Sequence, residues 1–133
     1  MAIELTMILR LLLATALGTV IGFQRERAKK PAGLRTHILI SLGSCLFTVV
    51  SIYAFSADIA RVAAGVVSGI GFLGAGAIIR GSREGIIAGL TTAASIWMMA
   101  AIGLAVGVGF YFVAVVATLL TLLVLLIPHH LVN

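Results

Sequence analysis

Gly65-Val-Val-Ser-Gly-Ile-Gly-Phe-Leu-Gly-Ala-Gly-Ala-Ile-Ile79 is uncharged, apolar and carries five glycines. A soluble helix tolerates this badly, since each interior glycine costs about 1 kcal/mol against alanine. A soluble strand gains little from it either. In a bilayer the composition has a use. Lipid gives helices no hydrophobic reason to associate, and small residues let two backbones come close enough to pack. The stretch predicts a membrane helix over 62–79, placed at the centre of a compact bundle. The denser part, Gly69 to Gly76, is where a kink or local unwinding would expose backbone groups to an ion.

The rest of the chain agrees with a membrane setting. Of 133 residues, 62% are hydrophobic and 10% charged, and the mean hydropathy is +1.25. A soluble domain has about a quarter of its residues charged, so this chain cannot cover a soluble surface. The single cysteine, Cys45, excludes an intramolecular disulfide. The expected fold is all-α: one domain over 1–133, with about five transmembrane helices near 3–23, 37–55, 62–79, 86–106 and 110–127. The last two come from a 42-residue uncharged run, Ile86 to Ile127, twice the length of one span, with a turn at Gly107-Val-Gly109. Four spans are the fallback if that run is partly re-entrant. The first span has no clear basic leader or cleavage site and reads as a retained helix.

Charge sets the orientation. With five spans, the 24–36 and 80–85 loops and the C-terminus share one side. Arg25, Arg27, Lys29, Lys30, Arg35, Arg80 and Arg83 lie there against Glu26 and Glu84, a net +5. The other side holds Glu4, Arg10, Asp58 and Arg61, which balance. Basic loops stay cytoplasmic, so the N-terminus is expected outside and the C-terminus inside. The basic face suits anionic lipid headgroups, and no nucleic-acid partner is expected. Small-residue stripes, including Ala14, Gly18 and Gly22 on the first helix, leave packing surface that predicts a homodimer.

Candidate functional residues fall into groups. Arg10 stands inside the first span, where a charge is functional by default unless it snorkels to the surface as an anchor. Thr91, Thr92 and Ser95 place hydroxyls in the fourth span. With Arg10, Ser68, Gly69, Gly71, Gly74 and Gly76 they form a candidate core pocket, in which Thr91 and Ser95 would share a face. Asp58 and Arg61, three residues apart at a helix start, can pair on the outer side. Glu26 and Glu84 are weak candidates for a metal, because seven cations share their side and repel divalent ions; Glu26 is expected to pair with a neighbouring loop cation. His37 reads as an interfacial hydrogen-bonder at the entrance to the second span. No nucleophile triad, Cys/His metal spacing or phosphate loop is present, and Gly69-Ile-Gly71-Phe-Leu-Gly74 lies within an apolar span rather than at a strand-to-helix turn. No enzymatic activity and no cofactor are expected.

Four segments together are more specific than any one. Gly22-Phe-Gln-Arg-Glu-Arg27, Pro31-Ala-Gly-Leu-Arg-Thr-His37, Arg61-Val-Ala-Ala-Gly-Val-Val-Ser-Gly-Ile-Gly-Phe-Leu-Gly-Ala-Gly76 and Gly89-Leu-Thr-Thr-Ala-Ala-Ser-Ile-Trp97 resemble the MgtC/SapB family of bacterial inner-membrane proteins. The resemblance implies a helical membrane domain linked to growth in low magnesium and, in some pathogens, to virulence. It also implies contacts with other membrane complexes, and a motif at Gln24, Arg25, Glu26, Arg27, Arg35, Thr36 and His37. Gln24 stands where the motif usually has Glu. Thr91 and Met98 stand where virulence-associated members can carry Asn and Cys. Two readings follow: a non-enzymatic modulator in magnesium homeostasis, or a transporter or channel for Mg²⁺ or another small ion running past Ser68, Gly69 to Gly76, Thr91 and Ser95.

Overall fold

The structure, a computed structural model, describes residues 1–128. The expected position of the C-terminus therefore lies outside the described residues. Five helices follow in order: α1 (Ala2–Arg27), α2 (Leu34–Ala54), α3 (Ile59–Gly81), α4 (Leu90–Gly107) and α5 (Tyr111–Leu125). The first four are long and apolar enough to cross a membrane. With 15 residues, α5 is about 22 Å long against a hydrocarbon core of about 30 Å. The fifth element exists as expected but is shorter than a full span.

Several helix ends differ from the sequence reading, and those around the α1–α2 and α3–α4 connectors matter. Helix α1 does not stop at Phe23 but continues through Gln24-Arg25-Glu26-Arg27. Nothing in those residues breaks a helix, and the chain turns only at Lys29, with φ +57°, ahead of Pro31. Helix α2 begins at Leu34, a turn earlier than expected, which carries His37 into the bundle. At the other connector, residues 86–89 are not helical. Arg83 and Ile86 close a tight turn through reciprocal backbone hydrogen bonds of 3.0 and 2.8 Å, with Gly85 at φ +76°.

The core lies between α1, α2 and α4, where Ala14, Leu17, Ile21, Cys45, Met99, Ile102 and Val106 are buried. Glycine is what lets these three helices meet. A Cβ on Gly22 would stand 2.9 Å from Leu34 Cα, and one on Gly103 would collide with the Ser41 carbonyl. Hydroxyls tie the same contacts. Ser41 donates to Ala14 O at 2.8 Å, Ser44 to Ala100 O at 2.6 Å, and Ser51 to Ile59 O at 2.9 Å. Thus α2 bonds to α1, α4 and α3 in turn. Large apolar side chains such as Phe72 and Phe112 point outward, as a lipid-facing surface requires.

The glycine-rich α3 is not at the centre. It has no buried residue, and a Cβ on Gly65, Gly69, Gly71 or Gly76 would meet nothing within 4 Å. The helix packs by one side on α4, where Gly74 faces Ala93. It is also unbroken from Ile59 to Gly81, so the unwinding considered at Gly69 to Gly76 is absent. Small side chains make close approach possible but do not bring a neighbour. Lipid also penalises every backbone group released from a helix.

Candidate functional site: a buried polar cluster at the basic end

The last turn of α1, the first turns of α2 and the start of α4 converge at one end of the bundle. Arg25 follows Ile21 and Gly22 along the buried side of α1 and is 2% exposed. Its Nη2 donates to Thr92 Oγ1 at 2.7 Å. His37 is fully buried. Its Nδ1 lies 2.9 Å from Gly33 O and its Nε2 2.9 Å from Ser95 Oγ, and Ser95 Oγ lies 2.7 Å from Thr92 O. One continuous network therefore joins Arg25, Thr92, Ser95 and His37 across three helices.

Donor accounting shows what the network can do. The Gly33 carbonyl only accepts, so Nδ1 carries a hydrogen. Ser95 has one hydroxyl hydrogen. Directed at Nε2, it serves a neutral imidazole; directed at Thr92 O, it leaves Nε2 to donate as an imidazolium. The same heavy-atom positions accept both states, which differ by one proton. Among the described residues, two buried side-chain polar atoms have no hydrogen-bond partner: Arg25 Nε and Gln24 Oε1. Among the described residues the only ion pair is Arg61–Asp58, at 2.9 Å and exposed, so no carboxylate neutralises Arg25.

The flanking motif residues have other tasks. Glu26 is not paired with a loop cation. Its Oε1 accepts from Leu34 N at 3.1 Å, and its carboxylate lies over Gly33, where a Cβ would stand 2.6 Å from Oε1. A carboxylate at a helix N-terminus satisfies a free amide and the helix dipole together. Arg27 lies over the Phe23 ring at 5.7 Å. Arg35 and Thr36 are exposed and line, with Glu26 and Lys30, an open pocket of about 350 Å³. Glu84 is exposed on the Arg83–Ile86 turn. No group of three or more His, Cys, Asp or Glu side chains that could hold a metal is found among the described residues.

The core pocket expected from sequence is split apart. Arg10 works at the opposite end, where Nε donates to the Tyr111 hydroxyl at 2.8 Å and Nη1 to Gly107 O at 2.9 Å. It closes the α4–α5 turn by satisfying a carbonyl at the C-terminus of α4. Ser68, Gly69 and Gly71 are exposed on α3, and Gly76 faces no neighbour. Thr91 is exposed. The pair that shares the buried face of α4 is Thr92 with Ser95, not Thr91 with Ser95.

The family profile for MgtC matches residues 11–133. This chain belongs to the MgtC family. Over 133 aligned residues it is 47% identical to YhiD of Escherichia coli K12, whose name proposes magnesium transport; the match covers 93% of this chain and 61% of YhiD. It is 46% identical to SapB of Bacillus subtilis, over 82% of this chain and 50% of SapB. It is 44% identical to MgtC of Salmonella typhimurium LT2, over 86% of this chain and 49% of that protein. The chain thus spans about half to three-fifths of these relatives. No solved structure matches it significantly.

In this MgtC-family chain the role of Arg25 was open to sequence reasoning through one signal. The stripe Ala14, Gly18, Gly22 continues by helical spacing to Arg25, and no breaker stands between them. The bond from His37 to Ser95 had no such signal. It joins residues 58 apart and depends on how α2 and α4 cross.

Proposed function

We propose that this multi-pass MgtC-family protein is a non-enzymatic inner-membrane modulator in adaptation to low magnesium, acting through contacts with other membrane proteins. The observation that carries this reading is buried Arg25. The bundle encloses an uncompensated cation at its basic end, while Glu4, Glu26, Asp58 and Glu84 are all exposed. A path for Mg²⁺ calls for the reverse, oxygen ligands within and no cation beside them. In this reading the N-terminus is outside, the α1–α2 and α3–α4 loops are cytoplasmic, and the protein self-associates as a homodimer. No cofactor takes part.

The name of the YhiD relative favours the second reading, a transporter or channel for Mg²⁺ or another small ion. The separation of Ser68 and Thr91 from buried Ser95 weighs against the pathway first considered for it. Flux in proteoliposomes decides between the two. The modulator reading expects no Mg²⁺ flux above protein-free vesicles, with chloride and phosphate as controls. Mg²⁺ flux abolished by Ser95→Leu would establish transport.

A further inference from the structure

The start of α4 adds uncapped backbone donors beside Arg25. Its N-cap residue, Gly89, offers no side chain, and no side-chain cap bond is made. The first amide of this segment with a backbone acceptor is Ala93 N, bonded to Gly89 O at 2.9 Å. The amides of Leu90, Thr91 and Thr92 have no acceptor among the described residues. Into this turn comes the Arg25 guanidinium, 2% exposed, with Nη2 on Thr92 and Nε free. Thr92 Oγ1 accepts that bond, and its own hydrogen has no acceptor among the described residues. So the positive end of an 18-residue helix, a buried guanidinium edge and a hydroxyl are gathered with no carboxylate paired to them among the described residues. Each alone favours negative charge. A buried charge without a partner is costly.

We propose that Arg25, Thr92 and the first turn of α4 bind a phosphate-type oxyanion, supplied by a lipid headgroup or as free phosphate. The donor set selects the class. The Nε–Nη2 edge of a guanidinium matches two oxygens of one tetrahedral or planar anion, and the hydroxyl and amides provide for the others. A halide offers a single centre to donors that are spread out. Leu90 and Thr91, at the head of this turn, are exposed at the basic end, as are Arg80 and Arg83. The site depends on neither reading of function, since a modulator could sense the anion and a transporter could be gated by it.

The test uses the full chain purified in neutral, phosphate-free detergent. Its melting temperature is followed during titration with inorganic phosphate against chloride at equal ionic strength. A second arm measures lipid retention in nanodiscs of phosphatidylglycerol or phosphatidylcholine. Phosphate, phosphatidylglycerol or both should stabilise the wild type and the surface control Arg61→Gln, an exposed cation at the opposite end. Phosphate alone identifies a soluble anion, and phosphatidylglycerol alone a headgroup. Thr92→Val should weaken binding about tenfold or more, Thr92→Ser should restore it, and Arg25→Gln should abolish it. Stabilisation by chloride equal to that by phosphate, with no lipid preference, overturns the proposal. So does binding that persists unchanged in folded Thr92→Val and Arg25→Gln. Neither result depends on the flux assay, so the two readings of function stand or fall separately.

Discussion

Ser95 has two partners inside the bundle, His37 Nε2 and Thr92 O. Removing its hydroxyl strands a buried ring nitrogen, and leaving a buried polar atom unpaired costs about 1–3 kcal/mol. Ser95→Ala should therefore lower the melting temperature of the purified protein, while Thr91→Ala, one helical turn away and exposed, should leave it unchanged. Arg10 makes a matching case at the opposite end. Its bonds to Gly107 O and Tyr111 fix the α4–α5 turn. Arg10→Met retains the apolar stem and loses only those bonds. It should loosen α5, read as faster hydrogen exchange or proteolysis at 108–112, without disturbing the α1–α2–α4 core. Both residue types were visible in the sequence as polar groups in apolar spans. Their partners were not, because hydrogen bonds across 58 to 101 residues are fixed by helix crossings that no local pattern encodes.

At the scale of the helices, the glycines divide by what surrounds them. Gly18, Gly22, Gly103 and Gly107 lie where another helix crosses closely; a Cβ on Gly107 would stand 2.5 Å from Thr48 Cβ. Gly65, Gly69, Gly71 and Gly76 face open space. Gly22→Ala and Gly103→Ala should destabilise the bundle, since close-packed backbones must separate, at a cost of about 1–3 kcal/mol. Gly69→Ala should be neutral or stabilise by up to about 1 kcal/mol, the helix-propensity gain. Thermal melts of these variants in the same detergent make the comparison. The richest glycine stretch drew the sequence reading toward α3, yet sparser glycines hold the core. Composition reports how many faces could be approached, and only the packing of α1, α2 and α4 shows which faces are.

Over the whole molecule, polarity is distributed along one axis. Arg25, Arg27, Lys29, Lys30, Arg35, Arg80 and Arg83 gather at the end formed by the α1–α2 and α3–α4 connectors. Single cysteines at Lys30 or Glu84 in a Cys45→Ala background should be labelled only from the cytoplasmic side of oriented vesicles. A reporter after Asn133 is expected to read cytoplasmic, with α5 crossing where the bilayer thins to meet a short helix. An external reading would leave four crossings. Helix α3 exposes much of its small-residue surface beside an apolar groove of about 560 Å³ shared with α2. Cross-linking in bilayers tests the expected homodimer.

The sequence by itself determined the solvent and the class of fold. Long uncharged runs with few breakers admit only helices in lipid, because every backbone group must be bonded within its own segment. The family, the five helices and the asymmetry of charge were legible on the same terms. Tertiary structure alone decided that α3 stands at the edge, that Arg10 closes the α4–α5 turn, and that Arg25, Thr92, Ser95 and His37 form one buried network. Hydropathy and period describe a helix against its surroundings. Which helix becomes those surroundings depends on a few close contacts, at Gly18, Gly22, Gly103 and Gly107, that a one-dimensional pattern does not rank.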